Sequence, residues 1–386
     1  LGILLSPVLS RLFAPEAFGT AAVFSSILSI IGVIVCLRYE RAIMLPEKDE
    51  DAANLFVGSL LLAGIFTALS VVSAVFLRES VSRWLKAPEL ASYLWILPVA
   101  IVATGIGLPL RYWNTRRKRF GLLSITRVAA SAGTQSTCVG AGLLGYRDLG
   151  VLIGARTLGL VISPVLLGWN VWRRDSKVLS QVQGKQIIIG LKRYRKFPLA
   201  STWSSLFNTL AQQVPTLLLS TSFSQTIVGY YSLSMRLIQL PMVFIGQAIA
   251  QVFLQRASVA QHGGTLNIVV HSTFRRLVSL GLFPLLVLGL IGREVFVVVL
   301  GPQWAEAGVY AQILALWQFS VFISSPLSTV LTVLERQGAL LGFNILLLVT
   351  RVLSLSMGAK LGGVRLALAL YAGGGVVLYA GLLLWL

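Results

Sequence analysis

The sequence has little charge: only 12% of its 386 residues are Asp, Glu, Lys or Arg. A soluble domain carries about 25%, whereas 56% of this chain is hydrophobic. A water-soluble fold could not bury so much apolar side chain. The apolar stretches are long and continuous, while a transmembrane β-barrel shows short alternating segments. The composition therefore predicts an all-α polytopic membrane protein.

Cysteine and histidine are also scarce, with two of each in the chain. Cys36 and Cys138 both lie within apolar stretches, which predicts buried thiols and no disulfide framework. His262 and His271 have no neighbours of the kind that would complete a metal site. We therefore expect no metal and no bound cofactor. Coupling of activity to protons or to sodium stays open.

Twelve apolar segments of helical length follow one another along the chain. About 20 helical residues cross the ~30 Å bilayer core. The segments cover residues 1–13, 18–37, 54–77, 90–112, 122–145, 149–171, 199–220, 227–252, 277–299, 308–333, 339–359 and 364–386. We predict a six-helix lobe at 1–171, a basic linker at 172–198 and a second six-helix lobe at 199–386.

The basic residues favour one side of the predicted membrane. Most of the 32 Lys and Arg residues fall in the connections on that side. Basic connections stay in the cytoplasm, so both ends of the chain are predicted to face the cytoplasm. The sequence starts at Leu1 and ends at Leu386 within apolar segments, so we expect a longer natural chain.

The linker 172–198 is the longest basic stretch. One interpretation is an amphipathic helix on the membrane surface, attracted to anionic headgroups of membrane lipids. The other is a solvated basic loop that obeys the charge rule for cytoplasmic connections. No other basic stretch is large enough to form a binding module, so we expect no nucleic-acid partner.

The two halves of the chain show an internal similarity. Gly19 recurs 210 positions later as Gly229, and the offset grows to 217 between Gly121 and Gly338. When a duplicated unit has an even number of membrane-spanning helices, both copies have the same orientation in the membrane. The two lobes are therefore predicted to be related by a pseudo-two-fold axis along the membrane normal, with a site at their interface near mid-membrane.

The charged residues away from the ends of the predicted segments are all arginines, namely Arg127, Arg156, Arg236 and Arg351, while every carboxylate lies in a connection or near the end of a segment. A charge at a helix centre costs ~2.5–3.5 kcal/mol, and such residues usually face a cavity. The guanidinium group matches phosphate oxygens in a bidentate geometry. The arrangement therefore predicts a site for an anionic, phosphate-bearing ligand. Helix packing, or extension of the side chain toward a surface, is the structural alternative.

Amide side chains lie next to one of these arginines. The members of this polar stripe are Arg236, Gln239, Gln247 and Gln251 on segment 227–252, with Asn208 and Gln212 on the segment before it. At 100° per residue the first four share one helix face. Amides suit the hydroxyl groups of sugars, so we predict that the stripe lines a sugar path. Hydrogen bonding between helices uses the same side chains.

Arg38 and Arg41 close the second segment at its predicted cytoplasmic end, beside Glu40. The cytoplasmic charge rule and a local ion pair with Glu40 explain them in one way. In the other interpretation, they bind an anionic diphosphate at the mouth of the cavity.

The sequence around these residues resembles the polysaccharide flippases of the multidrug/oligosaccharidyl-lipid/polysaccharide exporter superfamily. The most specific match is Arg38-Tyr39-Glu40, followed by Ala42-Ile43 and Leu45-Pro46. The second half resembles the same family at Gly229-Tyr230-Tyr231-Ser232-Leu233, Arg236-Leu237 and Gly301-Pro302.

The resemblance implies a multi-pass flippase of the bacterial inner membrane. It would move undecaprenyl-pyrophosphate-linked oligosaccharide units, such as O-antigen or another surface polysaccharide, from the inner to the outer leaflet. The two lobes would work by alternating access, and arginines lining a central cavity would hold the diphosphate. Other proteins of polysaccharide assembly would be its partners.

Other functions predict other residues. A cation-coupled multidrug exporter of the same superfamily needs Asp or Glu inside the membrane, whereas the carboxylates here lie in connections or near the ends of segments. A membrane enzyme of polysaccharide assembly, such as a polymerase or ligase, needs a large outer loop with catalytic carboxylates. The outer connections are short, so we expect no catalytic residues. A lipid II flippase satisfies the arginine argument and ordinarily has two further helices.

Overall fold

The computed structural model describes residues 4–240, 245–262, 265–334 and 336–385. These residues are helical almost throughout, and no β-strand occurs among them. The prediction of an all-α polytopic membrane protein is confirmed.

The chain divides into two compact units, Leu1–Gln213 and Val214–Leu386. The helices of the first unit are α1 (Ser6–Leu12), α2 (Pro15–Ile34), α3 (Tyr39–Ala42), α4 (Asp49–Trp84), α5 (Leu90–Tyr93), α6 (Leu97–Arg116), α7 (Phe120–Leu143), α8 (Leu149–Leu179), α9 (Gly184–Arg193) and most of α10 (Thr202–Ser222). Those of the second unit are α11 (Gln225–Ile238), α12 (Gln247–His262), α13 (Leu266–Leu300), α14 (Ala305–Leu327), α15 (Val330–Val333), α16 (Gln337–Leu361) and α17 (Gly363–Trp385). The predicted lobe boundaries concern topology, and they stay a prediction.

Eight helical segments of the described residues are long and apolar enough to cross a membrane. They are Pro15–Ile34, Asp49–Trp84, Leu90–Arg116, Leu149–Leu179, Leu266–Leu300, Pro302–Leu327, Gly342–Leu361 and Gly363–Trp385. The other four predicted segments coincide with α1, α7, α10 and the pair α11 and α12. All but α1 of these less apolar or shorter helices carry predicted site residues. Arg156 and Arg351 lie instead on α8 and α16, which are among the eight apolar segments.

Helix starts follow from local sequence. Pro15 occupies the first turn of α2, where its missing N–H would have no partner in any case. The Asp148 side chain accepts a hydrogen bond from the Val151 N–H at 3.2 Å and so caps α8.

The predicted segment 227–252 is described in two parts. α11 ends at Ile238 and α12 begins at Gln247. Residues 241–244, between them, lie outside the described residues. The alignment of Arg236 and Gln239 with Gln247 and Gln251 on one helix face therefore stays a prediction.

The linker contains a helix, α9, that packs on α4. Ile187 of α9 is buried, and a Cβ atom at Gly58 would meet Ile187 Cγ2 at 3.1 Å and Leu191 Cδ2 at 3.3 Å. Ile188 and Ile189 stay exposed. One part of the apolar face of α9 is thus docked on its own unit, and another part is available to lipid.

Within the second unit, α13 and α14 approach closely at glycines. A Cβ atom at Gly308 would overlap the backbone of Arg293 and Gly292. The backbone of α13 departs from helical geometry at Ile291, with φ −122° and ψ 26°. Only a residue without a side chain permits this contact, which fixes the register of the helix pair.

Candidate functional site

The most constrained turn of the first unit connects α2 to α3. Leu37 has φ 48° and Arg38 has φ 62°, both in the left-handed region. Each such conformation costs roughly 1–2 kcal/mol for a residue other than glycine. Backbone strain of this kind persists only where the surrounding structure enforces it, and it is concentrated at functional sites.

Three sets of contacts fix α3 and the residues that follow it, next to this turn. The Tyr39 hydroxyl donates a hydrogen bond to the Leu191 carbonyl at 2.9 Å. The Arg116 guanidinium donates to the carbonyls of Ile43 at 3.2 Å and Pro46 at 2.6 Å. Ile43 itself is fully buried. The segment from Tyr39 to Pro46 is therefore held by α9, by α6 and by the core.

This turn places a buried carboxylate beside two arginines. Arg38 Nη1 lies 3.6 Å from Glu40 Oε1, and the Glu40 side chain is only 1% exposed. Among the described residues, Glu40 Oε2 and Arg38 Nε have no hydrogen-bond partner. Burial raises the pKa of Glu40, and the charges of Arg38 and Arg41 partly offset that rise. The pair leaves hydrogen-bonding capacity on Arg38 unused.

Two further arginines join this pair through their charges. Arg111 on α6 interacts electrostatically with Arg127 on α7 and with Glu40. Arg111 and Arg127 are both exposed, and Arg111 Nε donates to the Gly107 carbonyl at 3.3 Å. The four arginines Arg38, Arg41, Arg111 and Arg127 are here called the arginine cluster. Glu40 interacts electrostatically with Arg38, Arg41 and Arg111, and Arg127 interacts with Arg111. Such an excess of positive charge favours binding of an anion.

Other basic residues of the same region are neutralised by carboxylates. Asp49 accepts from Arg116 Nε at 3.0 Å and from Arg117 Nη1 at 2.6 Å. Asp175 accepts from Arg119 at 2.7 and 2.8 Å and from the Trp113 indole at 3.0 Å. These arginines hold α4, α6, α7 and α8 together, so they are not free to bind a ligand.

Sequence reasoning missed both Arg111 and Asp175. Arg111 falls at the very end of the predicted segment 90–112, and Asp175 falls in the predicted linker 172–198, whereas α6 runs to Arg116 and α8 runs to Leu179. Asp175 follows the buried residues Leu167 and Val171 at four-residue intervals. This spacing is a signal that could have identified it as an inward-facing side chain.

In the second unit, Arg351 lies between aromatic rings. Its side chain is 7% exposed, and its guanidinium carbon lies 5.6 Å from the ring centres of Trp317 and Tyr371. Cation–π contacts of this kind contribute about 0.5–2 kcal/mol. The surroundings of Arg351 are those of a packed helix interface.

The remaining predicted residues are spread over four helices. Arg236 lies half-buried in the last turn of α11, and Gln239 follows it as an exposed C-cap residue. Arg156 is exposed on α8. On α10, the exposed Gln212 donates from Nε2 to Asn208 Oδ1 at 3.4 Å. The side chains of Gln247 and Gln251 lie outside the described residues.

No group of three or more His, Cys, Asp or Glu side chains that could hold a metal occurs in the described part of the chain. Its two thiols, Cys36 and Cys138, are both buried, and neither forms a disulfide.

Comparison with known proteins gives consistent results. A family described as "Polysaccharide biosynthesis protein" matches residues 8–309. The succinoglycan biosynthesis transport protein ExoT of Rhizobium meliloti (strain 1021) is 23% identical over 340 residues, which cover 87% of this chain. The match spans 66% of that relative's length.

Two solved structures share the fold. An inward-facing multidrug resistance MATE family transporter of the MOP superfamily matches with a TM-score of 0.82 and 16% identity, covering 100% of this chain and 91% of that one. The lipid II flippase MurJ, in an inward closed conformation, matches with a TM-score of 0.76 and 13% identity, covering 99% and 85%. Since both transporters match, the fold alone does not separate their substrates.

Proposed function

This chain belongs to the polysaccharide biosynthesis protein family, and from that premise we propose that it flips undecaprenyl-pyrophosphate-linked oligosaccharides in the bacterial inner membrane. The repeat units of O-antigen or of another surface polysaccharide would move from the inner to the outer leaflet by alternating access. The lobes 1–171 and 199–386 would be the moving bodies, and both ends of the chain would face the cytoplasm.

The observation that carries this proposal is the arginine cluster. The buried carboxylate of Glu40 lies 3.6 Å from Arg38, and it interacts electrostatically with Arg41 and Arg111, while Arg127 adds a further positive charge next to Arg111. A diphosphate offers several acceptor oxygens, and each hydrogen bond to a charged group contributes about 1.5–3 kcal/mol. The neighbouring Arg116, Arg117 and Arg119 are occupied by Asp49 and Asp175. Diphosphate binding is therefore assigned to Arg38, Arg41, Arg111 and Arg127.

The other predicted residues keep separate roles in the proposal. Arg156 and Arg236 would contact the diphosphate as it passes. The aromatic stacking of Arg351 favours a packing role for that residue. The sugar path would be lined by the amides Gln239, Gln247, Gln251, Asn208 and Gln212.

The linker would contact the membrane surface. Lys185, Lys192 and Arg193 are exposed on α9, next to exposed Ile188 and Ile189. This combination suits a surface rich in anionic headgroups. Proteins that assemble the polysaccharide on either side of the membrane would be further partners.

The charge distribution argues against a multidrug exporter, despite the shared fold. The buried carboxylates of the described residues are Glu40 and Asp175, and arginines contact both. A cationic drug would find no unneutralised carboxylate there. A polymerase or ligase is disfavoured because the matched relative is named as a transport protein.

Deletion of the gene, followed by mass spectrometry of lipid-linked saccharides, tests the proposal. Undecaprenyl-diphosphate oligosaccharide should accumulate in the inner leaflet, and surface glycan should disappear. The wild-type chain should restore the glycan. An Arg83→Gln control should restore it too, because Arg83 is an exposed arginine at the C-terminal end of α4. Arg38→Gln combined with Arg111→Gln should not. Normal glycan in the deletion strain would refute the function, and full restoration by the double variant would refute the site.

A further inference from the structure

An apolar recess lies in the first unit, beside the C-terminal half of α4 and apart from the arginine cluster. It is a groove of ≈ 310 Å³ between α2, α4 and the start of α6. Ile27 and Ile31 of α2 form one wall, and Leu94 and Leu97 form another. The transport mechanism proposed above does not use this groove.

The groove is apolar in spite of its two serines. Ser70 Oγ donates to the Thr67 carbonyl at 2.7 Å, and Ser73 Oγ donates to the Leu69 carbonyl at 2.9 Å. Both hydroxyls are thus satisfied within α4, and the surface that they present is suited to hydrocarbon. A sugar or a peptide backbone would find no polar partners along these walls.

One charge lies at the end of the groove. Arg78 lines it, and the Arg78 guanidinium carbon lies 5.1 Å from the ring centre of Trp95. Its ion pair is a loose one, with Arg78 Nη2 4.0 Å from Glu79 Oε1. In the described part of the chain, the Arg78 guanidinium makes no hydrogen bond. The stacked guanidinium can therefore donate to a phosphate.

The groove has the length of one leaflet. The α4 residues that line it run from Phe66 to Val81, which at 1.5 Å per residue is ~22 Å. Half of a ~30 Å hydrocarbon core is ~15 Å, and the headgroup region adds to that. Asp49, at the start of α4, binds Arg116 and Arg117 from the end of α6. Arg78 lies 29 positions further along α4, near the opposite end of that helix. The Arg78 end is thus the side that has fewer basic connections, the outer leaflet by the charge rule.

We propose that this groove binds one acyl chain of an anionic phospholipid of the outer leaflet, with the lipid phosphate on Arg78. A polyisoprenoid chain long enough to cross the whole bilayer would extend well past the groove, so the length favours a phospholipid. This site is separate from the diphosphate site and does not depend on the proposed transport function.

Native mass spectrometry of the purified full chain with phosphatidylglycerol or phosphatidylcholine tests this site. The wild-type chain should retain one phosphatidylglycerol with about tenfold preference, which corresponds to ~1.4 kcal/mol. Arg78→Gln should abolish the preference, and Ser73→Phe should fill the groove and reduce retention of both lipids. Arg83→Gln, changed one turn further along α4, should bind like the wild type.

Two results would overturn the assignment. In the first, Arg78→Gln keeps the full preference for phosphatidylglycerol, which would show a non-specific layer of lipid only. In the second, undecaprenyl phosphate displaces the retained phosphatidylglycerol at equal concentration, which would assign the groove to the isoprenoid chain. Arg78 is a partly exposed residue, so its variant should fold even where the groove-filling change does not.

Discussion

Replacement of Asp175 by Asn should destabilise the first unit without changing the volume of the side chain. Asp175 is 5% exposed and accepts three hydrogen bonds, one from Trp113 and two from Arg119. Asn keeps one acceptor oxygen and presents an amide N–H₂ to the guanidinium of Arg119. One Arg119 bond is then lost, the Trp113 bond becomes a bond between two neutral groups, and the other Arg119 bond keeps its charged donor.

The magnitude follows from the hydrogen bonds. A bond to a charged group contributes about 1.5–3 kcal/mol, and one between neutral groups about 0.5–1.5 kcal/mol. Losing one bond and weakening another costs about 2–4 kcal/mol. The Arg119 side chain is 17% exposed, so water compensates in part, and we expect about 2–3 kcal/mol. For a unit of this size, that lowers the melting temperature by about 5–10 °C.

Thermal unfolding of the purified protein in detergent, followed by tryptophan fluorescence, measures this effect. Asp51→Asn is the matched control, because Asp51 is exposed in the first turn of α4. The control should lower the free energy of unfolding by less than about 1 kcal/mol. Equal melting temperatures for the two variants would contradict the assignment of Asp175 as the residue that joins α6, α7 and α8.

Three further predictions follow from the same contacts. Burial raises the pKa of Glu40 above 4.5, so the contribution of Glu40 to stability is full below pH 4.5 and falls as the pH rises. Glu40→Gln should therefore flatten the melting-temperature profile above pH 4.5. Parallel profiles for the variant and the wild type would contradict this. Gly375→Ala should cost about 1–3 kcal/mol because its Cβ would overlap the Trp317 ring, while Gly381→Ala on the same helix, in open space, should be neutral or stabilising in the same melt. Tyr39→Phe removes the hydrogen bond to α9 and should cost about 1 kcal/mol, seen as faster proteolysis of the linker.

The helices were predictable because membrane insertion depends on local composition. Each of the eight spanning segments overlaps a predicted apolar segment, since lipid offers no partners to backbone groups and selects long apolar helices.

The candidate site was only partly predictable. The sequence indicated an excess of arginine. Arg38 and Arg41 interact electrostatically with Glu40, and Arg127 interacts with Arg111, while the ligand-binding role of these residues stays a prediction. The sequence could not show which arginines are neutralised. Arg111 and Arg116 lie on one helix, yet only Arg116 meets a carboxylate, because the pairing depends on tertiary packing of α4 against α6.

Direct binding of a short-chain polyprenyl diphosphate to the purified full chain tests the central claim. Arg38→Gln and Arg111→Gln should each weaken binding about 10–100-fold, the loss of one charge-assisted contact. The Arg83→Gln control should bind like the wild type, and raised salt should weaken wild-type binding more than that of the variants. If the protein with both Arg38 and Arg111 replaced binds the diphosphate within twofold of the wild type, the arginine cluster is not the diphosphate site.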